Sequence, residues 1–109
     1  MKRLGQLSFP VPQRSNPIYG RVFFALRRQF GLSAPECLLL DVVDTLSRRT
    51  GWCFASRAYL AGLLGVSSRS VQRMLAHLLD RGLVERHSQI ARQIRPSRRW
   101  HDARASALR

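Results

Sequence analysis

The chain has 109 residues, 45% of them apolar, with a formal charge of +13 and a pI near 11.8. A single domain of this length buries one core, which excludes a large multi-part enzyme. Such a cationic excess predicts attraction to a polyanion, chiefly nucleic acid or an anionic membrane surface, although part of the arginine content, with Lys2 the one lysine, is what a GC-rich coding sequence would supply anyway.

No run of about 18 apolar residues exists to span a bilayer, and the opening "MKRLGQLSFPVPQRS" lacks the apolar centre of a secretion signal. Cys37 and Cys53 lie in apolar surroundings without CxxC spacing and are expected to stay reduced, as small hydrophobes. The chain therefore reads as cytoplasmic and nucleoid-associated.

Residues 1–15 carry Pro10, Pro12 and basic residues but no periodic pattern, which predicts a flexible basic arm. Asn16-Pro17 is a helix start signal, and Ile18, Val22, Leu26 and Phe30 recur every four residues beside Phe23. An amphipathic helix over 16–31 closed by Gly31 follows from that spacing. Ser33 and Glu36 have capping-box spacing and open a second helix to about Arg49, apolar nearly all round except for one wet edge at Asp41 and Asp44. "WCFAS", Trp52 to Ser56, reads as a short strand or extended link.

Two further helices are expected at about Arg57–Leu64 and Ser68–Arg81, separated by Gly65-Val66-Ser67 with Ser67 as N-cap. In the later helix Val71, Met74, Leu75, Leu78 and Leu79 follow core spacing, which leaves Ser68, Arg69, Gln72, Arg73, Ala76, His77 and Asp80 on the outer face. Leu83–His87 alternates as a half-buried strand does, and Arg92–Pro96 would return beside it with Ser88–Ala91 as the tip. Ile90 and Ile94 are also spaced for a helix, and no Asn-Gly marks the turn. Residues 97–109 read as a basic, aperiodic tail.

A short helix, a glycine-containing turn and a longer helix make a helix-turn-helix, with Ala61 small at the crossing and Leu60, Leu64, Val66, Val71 and Met74 filling the angle. "GWCFASRAYLAGLLGVSSRSVQRMLAHLLDRGLVER" resembles the winged-helix modules of small bacterial, plasmid and phage DNA-binding and replication proteins. It has their aromatic-Cys-Phe segment, their Ser-x-Arg-x-Val-x-Arg recognition helix and their terminal Gly-Leu-Val, with Ala55 where the family commonly has proline. The resemblance implies a mainly α, winged helix-turn-helix domain over residues 32–96, a three-helix core plus a β-hairpin wing, with the helix at 16–31 added in front.

The start of the Ser68 helix suits duplex DNA: its amides and dipole favour a phosphate, and Ser67, Ser68 and Ser70 supply hydroxyls. Arg69, Gln72 and Arg73 project at i, i+3, i+4, and arginine can pair with guanine and glutamine with adenine. His77, two turns on, fits a phosphate contact or plain exposure equally well. Arg86, Arg92 and Arg95 would let the wing touch backbone or minor groove, with Arg98 and Arg99 adding unspecific attraction. Trp52 and Trp100 read as packing residues, since no aromatic-basic ladder surrounds them.

Six scattered acids, no P-loop, no GxSxG and no ligand spacing among His77, His87 and His101 argue against an enzyme, a metal or a cofactor, and no small-molecule pocket is evident. The expected function is sequence-specific duplex binding by a small transcriptional regulator, a repressor of a bacterium or mobile element. The alternatives are a plasmid or phage replication or maintenance protein at an origin, and a winged-helix adaptor that docks on protein. The stripe Ile18, Val22, Phe23, Leu26 and Phe30 needs a cover, either its own domain or a twin, and a homodimer is the favoured expectation.

Overall fold

A computed structural model of the chain describes residues 20–108, so the expected arm at 1–15, the start signal Asn16-Pro17 and Ile18 lie outside the described residues. Within them the order is α1 (Phe24–Phe30), α2 (Ala34–Ser47), α3 (Arg57–Leu64), α4 (Ser68–Asp80), β1 (Val84–Arg86), β2 (Ile94–Pro96) and α5 (Arg98–Ala107). The result is a mainly helical domain carrying a small antiparallel sheet.

α2 is the centre of the core. Its start is fixed as the sequence requires: Ser33 Oγ accepts from Glu36 N at 3.2 Å, Glu36 Oε1 accepts from Ser33 N at 2.8 Å, and Pro35 sits in the first turn, where no amide is missed. Leu39, Leu40 and Val43 pack against Leu60 of α3 and Val71, Leu75 and Leu78 of α4, all buried in one cluster with Leu83 and Ile94. Each such leucine contributes about 1.5–3 kcal/mol through the apolar area it removes from water. Met74 and Leu79 pack on the cluster's margin, so the five-residue stripe of α4 faces inward as its periodicity requires.

The expected wet edge of α2 is absent. Asp41 and Asp44 are 1% and 4% exposed, because each has a cation folded over it. Asp41 accepts from the Arg21 backbone amide at 2.8 Å and from its guanidinium, and Asp44 from Arg48 at 2.9 Å. A buried carboxylate is tolerable only when paired and hydrogen-bonded in this way.

The same Arg21 contact explains why α1 is shorter than the span 16–31. A Cβ on Gly20 would stand 3.0 Å from Leu38 Cδ2, so the chain runs close and extended along α2, with Arg21 giving its amide to Asp41. Val22 and Phe23 therefore precede the helix. Leu26 and Phe30 are buried within their own domain, with Val22 and Phe23 packed on its edge. Of the stripe assigned to a homodimer, Leu26 and Phe30 are thus buried within the protomer, where α1 packs on α5, while Ile18 lies outside the described residues.

Residues 97–108 also depart from the expected tail. Ser97 caps α5, accepting from Trp100 N at 3.4 Å while its hydroxyl donates to Gly82 O at 2.6 Å, and Trp100 enters the core at 3% exposure. Arg98 and Asp102 pair at i, i+4.

The sheet pairs Val84 with Pro96, Glu85 with Arg95 and Arg86 with Ile94. Its strands are shorter than Leu83–His87 and Arg92–Pro96, because His87 reshapes the tip: Nδ1 of its ring accepts from the Gln89 and Ile90 amides at 3.0 and 3.2 Å. Cys53 bridges Ile94 on the other side, donating its amide at 2.7 Å, so "WCFAS" adds an extended segment to the hairpin. Both cysteines are free and buried, and burial raises both thiols above their ordinary range.

Candidate nucleic-acid interface

α3 and α4 are joined by three residues whose chemistry sets their angle. Gly65 takes φ 71° and ψ 33°, left-handed values that a side chain disfavours, and the Val66 amide returns to Ala61 O at 3.1 Å to close α3. Ala61 is buried where the helices cross. Ser67 then starts α4: its Oγ accepts from Ser70 N at 3.1 Å and its hydroxyl donates to Ser70 Oγ at 3.1 Å. Ser67 is exposed but engaged in the cap, and Ser68 is exposed beside it.

Arg69, Gln72 and Arg73 are exposed on one face of α4, opposite the buried Val71, Leu75 and Leu78. The first turn holds no acid, so the helix presents its positive pole beside them. His77 belongs elsewhere. Its Nδ1 bonds Glu36 Oε2 and its Nε2 accepts from Arg81 Nε at 2.7 Å, so both ring nitrogens are engaged within the protein. The bonds from His77 and Ser33 hold the Glu36 carboxyl below its ordinary value despite burial, which acts the other way and is the largest single influence.

The wing lies beside this face. A shallow groove of about 520 Å³ between α4 and β1 is lined by Ala76, Leu79, Asp80 and Arg86. Arg86 and Arg92 are exposed, one on β1 and one in the tip. Arg95, expected to reach outward, is instead drawn to its own sheet: Nε donates to Glu85 Oε2 at 2.6 Å, and the guanidinium sits 4.1 Å from the Trp52 ring centroid. Trp52 is also 4.8 Å from the His87 ring. That stack ties the extended segment before α3 to β2 through Arg95 and to His87, the residue after β1.

One cation escaped the sequence reading. Arg57, the first residue of α3, donates from Nη1 to Arg92 O at 3.5 Å and so bridges α3 to the wing tip. Its signal was available: an arginine directly after a serine cap stands at the positive end of a helix, where a cation is disfavoured.

Among the described residues no group of three His, Cys, Asp or Glu could hold a metal ion, and no helix is long and apolar enough to cross a membrane. A cavity of about 460 Å³ behind the wing has mixed charge, with Asp44 and Glu85 facing Arg48, Arg95 and Arg98.

No protein-family model matches the sequence, and no curated protein matches it. Its fold is similar to that in the crystal structure of transcriptional regulator PA4135, at a TM-score of 0.51 and 19% sequence identity. The alignment covers 79% of this chain and 62% of that one, so the chain spans less than two thirds of that regulator's length. The likeness is one of fold, in which the described residues contribute five helices and a two-stranded antiparallel sheet.

Proposed function

We propose that this protein is a sequence-specific duplex DNA-binding protein of winged helix-turn-helix architecture, acting as a small transcriptional regulator. α4 enters the major groove, where Arg69, Gln72 and Arg73 read base edges, and the start of α4 with Ser68 and Ser70 meets a phosphate. Arg86 and Arg92 bring the wing to the backbone or minor groove, while Arg95 stiffens the wing from within. The observation that carries this reading is the outer face of α4: three exposed side chains of a chemistry that pairs with base edges, at the acid-free pole of a helix packed on α3, on a chain of charge +13.

Repression by occupying a promoter needs no more than duplex binding, and a bacterial or mobile-element source suits the resemblance in its sequence. Pairing of two heads on a two-fold site would need a surface other than Leu26 and Phe30, which are already buried.

The test is selection of bound sequences from a random duplex library near physiological salt, followed by affinity for the winner and for a scrambled duplex. The reading predicts a defined motif held at least about a thousand-fold more tightly than the scramble. A protein that binds both equally, with affinity collapsing as salt rises, does not read sequence. A two-fold symmetric motif would bring two copies to the site, and a single half-site would mean one.

A further inference from the structure

The linear sequence has no aromatic-basic ladder around Trp52, but the fold assembles one across strands. Cys53 bridges Ile94 in antiparallel sense and both are buried, so the residues on either side of each face outward. Continuing that register sets Trp52 opposite Arg95 and Phe54 opposite Gln93. The contacts agree. The Arg95 guanidinium lies over the Trp52 ring at 4.1 Å, Glu85, the register partner of Arg95, accepts from its Nε at 2.6 Å, and the His87 ring stands 4.8 Å from Trp52. Trp52, Phe54, His87, Gln93 and Arg95 therefore share the outer face of the sheet.

Two flat surfaces on this face are open to solvent. Phe54 is 60% exposed, a ring on a strand that gives the core nothing. The Arg95 side chain is 43% exposed, so the side of its guanidinium turned away from the indole is accessible, while its charge is answered by Glu85. What Arg95 offers is therefore a plane more than a charge. Phe54 and Trp52, which backs that plane, are two residues apart on one face, about 6–7 Å along the strand. Gln93, opposite Phe54, can hydrogen-bond a polar edge.

Planar groups with polar edges, carried on a polyanion, fit such a face: nucleobases stack on aromatic rings and on guanidinium planes alike. A second copy of the chain would bring another charge of +13 against the first. An acidic peptide would seek a free cation, and Arg95 is already paired.

We infer that the outer face of the sheet is a stacking platform for the unpaired bases of single-stranded DNA, one base on Phe54 and a neighbour on the Arg95 guanidinium that Trp52 backs. The choice of DNA over RNA rests on the duplex-binding reading, since a strand opened beside a bound duplex is DNA. The platform itself uses none of Arg69, Gln72 and Arg73. It engages the faces of bases, where α4 meets their edges.

The experiment measures affinity for a short oligodeoxythymidine, for an abasic deoxyribose-phosphate strand of the same length, and for the selected duplex. Wild type, Phe54→Ala, Phe54→Tyr and Arg95→Lys are compared across a salt series, with thermal melting to show that each is folded. The wild type should hold the thymidine strand at least about ten-fold more tightly than the abasic one. Phe54→Ala should lose about ten-fold on the thymidine strand alone, with the slope of log affinity against log salt unchanged because no phosphate contact is removed. Phe54→Tyr keeps the ring and should bind as the wild type does. Arg95→Lys keeps the charge without the plane and should lose several-fold. Equal affinity for the thymidine and abasic strands overturns the platform, and so does a Phe54→Ala protein that binds as the wild type does. Loss of the same size on strand and duplex would make Phe54 a duplex contact and overturns it equally. Tighter binding of oligouridine than of oligodeoxythymidine would assign the face to RNA, and displacement of the strand by polyglutamate at equal charge would assign it to an acidic peptide; either overturns the inference. The selected duplex carries no unpaired base, so a protein that binds the duplex and not the strand fails here alone, and one that binds the strand and no duplex fails the α4 reading alone.

Discussion

His77 on α4 and Glu36 in the capping box of α2 share a hydrogen bond, and the far nitrogen of the same ring accepts from Arg81 Nε at 2.7 Å. Arginine can only donate, so the imidazole hydrogen sits on Nδ1 and points at the carboxylate. The start of α2 and the end of α4 are thereby locked by one chain of bonds, Ser33 to Glu36 to His77 to Arg81. The orientation of α4 depends on a residue outside it.

That lock makes stability pH-dependent in a definite direction. Because the folded Glu36 carboxyl lies below its ordinary value of 4.5, its contribution is complete above that pH and disappears as pH falls through the folded value. Glu36→Gln keeps a capping-box side chain but loses the charge, and should cost about 1 kcal/mol near neutrality. Denaturant titrations of both proteins should draw together as the pH drops below 4.5 and converge once it lies below the folded value. A gap that stays constant into acid would show that the charge contributes nothing.

Arg69 and Arg73 are the sharpest test of the α4 face. Each changed to alanine should lose about 1–3 kcal/mol on the selected duplex and far less on a scramble, with unfolding unchanged. Competition binding on the two duplexes reads the difference. Equal losses on both would demote the residue to a phosphate contact.

Leu78 lies at the meeting of α2, α3 and α4 and is fully enclosed. Leu78→Ala should lower unfolding free energy by about 2–5 kcal/mol, part of it from the cavity left behind. Chemical denaturation measures it, and a loss under about 1 kcal/mol would contradict a close-packed centre.

Trp100 tests whether α5 belongs to the domain. Trp100→Ala should cost about 3–5 kcal/mol, and a chain ending at Pro96 should melt well below the full protein. Retention of the full melting temperature by the shortened chain would reduce α5 to an appendage.

α4 was legible in the sequence because its apolar and charged residues sort cleanly at helical spacing, and Ser33 and Ser67 announced two helix starts that the structure contains. α5 was not, since a single tryptophan among arginines and alanines gives no stripe. Its marks were the Ser97 cap and strong helix-forming residues, which act locally and say nothing of burial. Asp41 misled for a related reason: a charge reads as wet until its partner is known, and Arg21 lies 20 residues away. Of the interface, the α4 residues followed from facing alone, whereas the roles of His77, Arg95 and Arg57 depend on neighbours 41, 10 and 35 residues distant.

The packing of α5 on α1 also sets a timetable. Arg99 lies over the Phe30 ring at 5.3 Å and Arg104 over the Phe23 ring at 5.6 Å, so the first and last described helices finish one another. A chain emerging from the ribosome presents Phe23 and Phe30 long before either arginine exists, and the apolar face of α1 must wait, uncovered, through the synthesis of everything between. The pair α3 and α4 is made in that interval. The emergence of α5, more than any earlier local folding event, is the moment at which the domain closes.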